Sequence, residues 1–291
     1  MRVLVLGATG MLGRDLVDEW LKGDQEDRQS ARDELVPAGS AEANLRDASQ
    51  IEQLIGKARP DWVIVCAAYT DVDGCERNRE LAFAVNAGGV ENVVRSAEKI
   101  GAHVFLVSTD YVFDGKGTRP YETADPVAPI NVYGASKAAG EEILRKLSSH
   151  WCIGRTSWLF GAHGPSFPEK ILKAAETLPE LSVVNDQIGS PTYTRDLARA
   201  IRDLVRKDAR GIVHINNEGV CTWFDFAKEI LAQSGLSSIP LHPITTDQSA
   251  RPASRPNYSA LSPASLHAYG IRLRPWPQAL SAFLKERAVT N

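Results

Sequence analysis

Cysteine is scarce in this chain of 291 residues, and the four present, Cys66, Cys75, Cys152 and Cys221, form no C-x-x-C pair. That scatter excludes a disulfide framework and a thiolate zinc site. The six histidines show no H-E-x-x-H or comparable spacing, so no metal is expected. No apolar run approaches the ~20 residues that a bilayer-spanning helix needs, which argues against a membrane partner. A formal net charge of −3 offers no general attraction to nucleic acid. Repeats and low-complexity segments are absent as well. The N-terminus enters a strand without the charged and apolar regions of a secretory signal, which predicts a cytoplasmic protein. What remains, 43% hydrophobic and 24% charged residues, is the balance of a globular chain with room for a large domain and a smaller lobe.

The first informative feature that is present lies at the start. Val3, Leu4, Val5 and Leu6 form the short apolar run of a central parallel strand. Gly7, Gly10 and Gly13 then follow at three-residue intervals and open a helix. Gly7 permits a tight turn, Gly10 lets backbone approach a pyrophosphate, and Gly13 lets helix and strand pack closely. The N–H groups and positive end of that helix favour phosphate charge. The spacing differs by one residue from G-x-G-x-x-G, so its place directly after a strand carries the reading.

Strand-like Arg2–Leu6, Leu35–Val36, Asp61–Cys66 and Ala102–Val107 alternate with helix-like Met11–Lys22, Asp47–Lys57, Leu81–Lys99 and Val132–Leu147. Such alternation predicts an α/β protein with a Rossmann-like, doubly wound parallel sheet. The polar stretch Gly23–Asp33 reads as an exposed loop. After about Cys152, glycine, proline and serine become frequent between short elements. Residues 1–152 are therefore expected to form a dinucleotide-binding domain to which later segments return. Residues 153–291 are expected to form mainly a smaller, discontinuous substrate lobe over the C-terminal strand ends. Cys66 is expected as a small buried hydrophobe, and His103 and His214 as core histidines.

Two further segments carry chemistry: Val107-Ser-Thr-Asp-Tyr-Val-Phe-Asp114 at a strand end, and Tyr133-Gly-Ala-Ser-Lys137 at a helix start. Tyr133 and Lys137 are four positions apart and share a helical face. A Y-x-x-x-K match alone says little; the order of glycine loop, strand-end hydroxyls and helical Tyr/Lys is what points to carbonyl reduction. A ketone accepting hydride develops charge on oxygen, which must be protonated or held. Tyr133 is the candidate acid, Thr109 a second donor to the same oxygen, and Lys137 an ammonium that favours phenolate and holds a nicotinamide ribose.

The glycine loop, Ala67-Ala-Tyr-Thr-Asp-Val-Asp73, Val85-Asn86-Ala87, Ser108–Gly115 and Tyr133-Gly-x-Ser-Lys137 resemble the extended short-chain dehydrogenase/reductases, and within them the dTDP-4-dehydrorhamnose reductase family. Gly154-Arg-Thr-Ser-Trp158, Asp186–Tyr193, Asp196-Leu-Ala198 and Arg251-Pro-Ala-Ser-Arg-Pro256 extend the likeness from Met1 to about Leu284. The resemblance implies reduction of the C4 ketone of a nucleotide-linked 6-deoxyhexose by NADPH or NADH. Thr109, Tyr133 and Lys137 match the family's catalytic positions. Gly7, Thr9, Gly10, Met11, Leu12, Gly13 and Arg14, then Asn44, Leu45, Ala67, Ala68 and Tyr69, match positions that hold cofactor. Tyr111 and Trp158 match the sugar pocket.

Departures from the family pattern are Asn44 for an aspartate, Cys66 for an asparagine, and no acid or arginine directly after the second strand at Ala38-Gly39-Ser40. Arg195 stands where some bacterial members carry a carboxylate that holds a dimer-bridging magnesium, so no metal-bridged dimer is expected. Asp110-Tyr111 lacks the second carboxylate of the related dehydratases. An epimerase remains an alternative, and so does a non-catalytic dinucleotide-binding protein like the regulatory subunit of methionine adenosyltransferase.

Overall fold

The computed structural model describes residues 1–26 and 33–290 and is built on a six-stranded parallel sheet. Its strands β1 (Arg2–Leu6), β2 (Glu34–Ala38), β3 (Trp62–Val65) and β4 (His103–Thr109) follow the expected alternation, whereas β5 (Trp151–Thr156) was not among the expected strands and runs across the expected boundary at residue 152. Beyond them come the short strands β6 (Leu159–Phe160), β7 (Leu181–Val184), β8 (Ile188–Gly189) and β9 (Thr192–Tyr193). Then β10 (Gly211–His214) returns to the sheet beside β5, giving the order β2-β1-β3-β4-β5-β10. Leu6 pairs with Ala38 on one side and Val65 on the other. Strand order reverses at β1, and a doubly wound sheet opens its crevice at that point.

Both sheet faces are covered, which is why these strands are almost wholly apolar. Val3, Val5, Ile64 and Phe105 face one helical layer, and Leu4, Leu6, Val63 and Leu106 the other. The crossovers are α1 (Met11–Glu26), α2 (Ala48–Ala58), then α3 (Val72–Arg77), α4 (Arg79–Phe83) and α5 (Gly89–Glu98), then α6 (Val132–Leu147). Helix α2 starts one residue later than predicted because Asp47 is its cap, accepting the Gln50 N–H. Helix α1 runs on to Glu26, so the expected loop begins no earlier than residue 27; residues 27–32 of that stretch lie outside the described residues.

The long helix predicted over Leu81–Lys99 is instead interrupted by one π-helical turn, Ala84–Gly88. An extra residue per turn there directs the buried Asn86 side chain toward the backbone of Tyr69, and π turns of this kind are frequent at functional sites. Of the two expected core histidines, His214 is fully buried, and burial with the nearby Arg155 charge pushes its pKa down to about 3. His103 is half-buried and pairs with Asp208 at 3.0 Å.

The remaining elements are α7 (Phe167–Thr177), α8 (Thr194–Arg206), β11 (Cys221–Thr222), α9 (Trp223–Gln233), β12 (Leu241–Ile244), α10 (Thr246–Ser249), α11 (Ala264–His267) and α12 (Trp276–Thr290). Helix α8 packs with α1 under the sheet, burying Leu197, Ile201 and Leu204 against Leu16 and Trp20. Helix α11 also packs on the sheet side, through Leu266 against β10, while α7, α9 and α12 enclose a separate core around Phe160, Phe226, Leu280 and Phe283, with the two-stranded pairings β6 with β9, β7 with β12 and β8 with β11.

Candidate active site

A cavity of ≈530 Å³ opens over the C-terminal ends of β1, β3, β4 and β5. Its floor at β1 is the glycine loop, and the three glycines are needed for different reasons. Gly7 has φ +87°, and a Cβ there would lie 2.6 Å from the Ala67 nitrogen. A Cβ on Gly13 would lie 2.1 Å from the Gly7 carbonyl oxygen, so α1 can approach the strand only without one. At Gly10 a Cβ would meet just that same oxygen, at 3.4 Å, and would otherwise fill cavity space. The protein itself does not require glycine at position 10. The cradle beside it fits a phosphate approached by bare backbone at a helix N-terminus, so these residues fit a dinucleotide.

After β3 the chain forms the next wall, Cys66 to Ala68. Cys66, expected as a small buried hydrophobe, packs against the sheet core but is only partly buried; it lies just past β3, lines the cavity, and desolvation pushes its thiol up to about 12. Asn86 fixes this wall. Its Oδ1 accepts the Tyr69 N–H at 2.8 Å, while its Nδ2 donates to the Tyr69 carbonyl at 3.0 Å and to Ser136 Oγ on α6 at 2.9 Å.

Thr109 ends β4, and Asp110–Val112 follow as one 3-10 turn. Helix α6 presses directly on that turn: a Cβ on Gly134 would sit 2.0 Å from the Tyr111 carbonyl oxygen. Asn131 caps the helix by accepting the Gly134 N–H. The glycine after Tyr133 is therefore what brings the phenol up to the strand end. There it faces the Thr109 hydroxyl, and its ring meets Tyr111 edge-on at 5.8 Å. Burial, then the Asp110 charge, push the Tyr133 phenol above its ordinary range, so it holds its proton at neutral pH.

Asp110 accepts a hydrogen bond from Thr109 Oγ1 at 2.9 Å, and burial pushes its carboxyl up to about 7. Lys137 donates to the Val107 carbonyl at 2.7 Å, and burial lowers its ammonium to about 8. Behind it Glu141 accepts from Ser108 Oγ at 2.5 Å and from Arg155 at 3.0 and 2.6 Å, a bidentate pair with both residues buried. Thr156, whose buried Oγ1 has no hydrogen-bond partner among the described residues, lines the same cavity.

On the far side Trp158, with φ +47°, stacks on Trp223 at 3.6 Å and 8° between ring planes. The late Arg251–Pro256 segment is tied in as well. Arg255 donates to Asp73 at 2.6 Å, and Asn131 donates to the Ser254 carbonyl at 2.8 Å.

The RmlD substrate binding domain family model matches residues 1–289. The chain belongs to this family, that of the dTDP-4-dehydrorhamnose reductases. It is 41% identical over 287 residues to the spore coat polysaccharide biosynthesis protein SpsK of Bacillus subtilis, covering 99% of this chain and 98% of that one. To dTDP-4-dehydrorhamnose reductase of Mycobacterium tuberculosis it is 37% identical, over 97% and 92% of the two chains. The crystal structure of dTDP-4-dehydrorhamnose reductase from Bacillus anthracis in complex with NADP superposes with TM-score 0.90 at 37% identity, over 98% and 99%.

Of the positions carried over from the dTDP-4-dehydrorhamnose reductase family, Gly7, Thr9, Gly10, Met11, Leu12, Gly13, Ala67, Ala68, Thr109, Tyr111, Tyr133, Lys137 and Trp158 all line the one cavity. Four others do not. Arg14 turns its Nε to the Thr9 carbonyl at 3.2 Å and lines a neighbouring cavity. Asn44 is exposed. Leu45 is buried in the sheet core, close enough to α5 that a Cβ on Gly89 would lie 2.6 Å from it. Tyr69 is held by its backbone to Asn86, with its ring packed near Cys75 and Val132. Asp110, Thr156 and Trp223 were not singled out from the sequence. Asp110 sat inside a quoted motif, whereas Trp223 reaches the cavity from a distant helix and gives no local signal.

Proposed function

We propose that this chain reduces the C4 ketone of a nucleotide-linked 6-deoxyhexose, dTDP-4-dehydro-L-rhamnose to dTDP-L-rhamnose, with NADPH or NADH. The observation that carries the reading is the convergence of the glycine loop with Thr109, Tyr133 and Lys137 on one cavity. The names of the relatives supply the substrate class. Residues 1–152, with the returning β10 and α8, hold the dinucleotide, and residues 153–291 contribute mainly to the sugar-nucleotide side, where Trp158 and Trp223 form the wall.

A reduced nicotinamide supplies hydride to C4 when bound. The C4–oxygen double bond opens as the new C–H bond forms, and the oxygen takes the proton of Tyr133 Oη, leaving phenolate. Thr109 donates a hydrogen bond to the same oxygen. Lys137 stabilises the phenolate by its charge and anchors the cofactor ribose.

No metal-bridged dimer belongs to this reading. The Arg195 guanidinium pairs with Glu286 and lies 3.7 Å from Asp15 and 3.6 Å from Glu19, so these carboxylates already face a cation. A cytoplasmic location is supported by four free cysteines.

The test is the decay of reduced-nicotinamide absorbance with dTDP-, UDP- and GDP-linked 4-keto sugars. Oxidation dependent on dTDP-4-dehydro-L-rhamnose is expected. Binding of dinucleotide with no turnover of any keto sugar overturns the reductase reading in favour of a binding protein.

A further inference from the structure

Past β2 the chain turns through Gly39, and the Glu42 carboxylate folds back to accept the Gly39 N–H at 3.0 Å. A second cavity, of ≈430 Å³, opens at this place between Thr9 and Arg14 on the glycine-loop side and Gly39 and Glu42 on the strand side. Thr9 lines both this cavity and the main one, so the two are neighbours. In a doubly wound sheet the region beyond the second strand reads the adenosine ribose. A carboxylate there hydrogen-bonds the 2′-hydroxyl of NAD, and an arginine accommodates the 2′-phosphate of NADP.

The acid is invisible at the expected position because Gly39 has no side chain. A Cβ at Gly39 would lie 2.8 Å from Thr9 Cγ2 and 3.1 Å from Glu42 Oε2. The Thr9 side chain and the carboxylate of residue 42 together occupy the space that a side chain at residue 39 would take.

We infer that Glu42 sets the dinucleotide preference of this chain, in favour of NADH over NADPH. The inference rests on the dinucleotide reading of the cleft. Glu42 makes no hydrogen bond or ion pair other than that to Gly39 among the described residues, so one of its oxygens is available to a vicinal hydroxyl. A 2′-phosphate, with a charge of about −1.5 to −2 at neutral pH like other phosphomonoesters, meets that carboxylate with like charge and offers it little to accept. Arg14 lines the same cavity and is exposed, as Glu42 is, so water and salt screen both charges; its Nε donates to the Thr9 carbonyl at 3.2 Å. Each side chain has one hydrogen bond to backbone, 3.0 Å for Glu42 and 3.2 Å for Arg14, and the shorter one holds the acid against the turn that follows β2.

The experiment measures dissociation constants of NADH and NADPH on the apoprotein, by nucleotide fluorescence, with no sugar nucleotide present. The wild type is expected to bind NADH about ten-fold more tightly, the size of one charge-assisted contact. Glu42→Gln keeps an acceptor for Gly39 without the charge, and Glu42→Ala removes both. Each should narrow the ratio by about ten-fold, mainly through tighter NADPH. Arg14→Ala should weaken NADPH and leave NADH unchanged. Equal or tighter NADPH binding in the wild type, or an unchanged ratio in both Glu42 variants with melting curves like the wild type, overturns the inference. Preferential NADH binding without turnover of any keto sugar sinks the reductase reading and leaves Glu42's role standing. Failure of both dinucleotides to bind removes both.

Discussion

The Thr109 hydroxyl donates its one proton to the Asp110 carboxylate, 2.9 Å away. Its oxygen already receives the Tyr111 N–H at 3.2 Å. While Asp110 is ionised, Thr109 thus has no proton to offer a substrate oxygen. A protonated Asp110 reverses the bond, donates to the second lone pair of Thr109, and frees the threonine proton to point into the cavity.

This direction of donation predicts a pH dependence. Burial raises Asp110 from its ordinary 3.8 to about 7, against the pull of hydrogen bonds from Ser259 and Thr109. The protonated form is present below that value and lost above it, so kcat/KM for the keto sugar should decline as pH rises through about 7. Asp110→Asn places a permanent N–H donor beside Thr109, and its pH profile should lose that limb. An identical limb in wild type and variant would assign it to another group.

Tyr133→Phe removes the proposed acid while keeping the ring that meets Tyr111 at 5.8 Å. Turnover should fall by about 10²- to 10⁴-fold, the usual worth of a positioned general acid. Dinucleotide affinity should stay near that of the wild type, checked by fluorescence titration of the same preparation.

Two alanine substitutions in the glycine loop should behave differently. Gly10→Ala adds a methyl that meets the protein only at 3.4 Å, so its melting temperature should match the wild type while dinucleotide binding is lost. Gly13→Ala drives a methyl to 2.1 Å from the Gly7 carbonyl, so both thermal stability and binding should fall. Retained dinucleotide affinity in Gly10→Ala would remove the phosphate from this loop.

Glu141→Leu should leave Arg155 buried and unpaired at 1% exposure. Breaking a buried pair by deleting one partner costs about 3–5 kcal/mol. Urea denaturation should show a loss of that size, and Lys137, whose charge Glu141 supports, should titrate lower. A loss near zero would mean that water reaches the guanidinium in the variant.

Four of the six strands were legible because they read as apolar runs, such as Val3–Leu6 and Trp62–Val65 at their true positions, while β5 and β10, broken by Gly154-Arg155 and ended by His214, were not. The pairing of Tyr133 with Lys137 was legible because helix geometry alone brings them to one face. The break at Ala84–Gly88 was not, since a π turn needs no glycine or proline to announce it and its cause, the Asn86 bonds to Tyr69, lies in another segment. Leu45 and Tyr69 were carried over as cofactor residues; one is drawn into the core and the other is bound through its backbone. Glu42 was hidden by its offset from the strand end, which only the fold of the turn corrects.

The indoles of Trp158 and Trp223, stacked face to face 3.6 Å apart and nearly parallel, line the main cavity. Ring transitions this close exchange excitation, giving the protein an intrinsic optical signature in the near ultraviolet. Any molecule that pries the two rings apart must abolish it, so occupancy of the sugar side can be followed without a label and independently of nicotinamide absorbance.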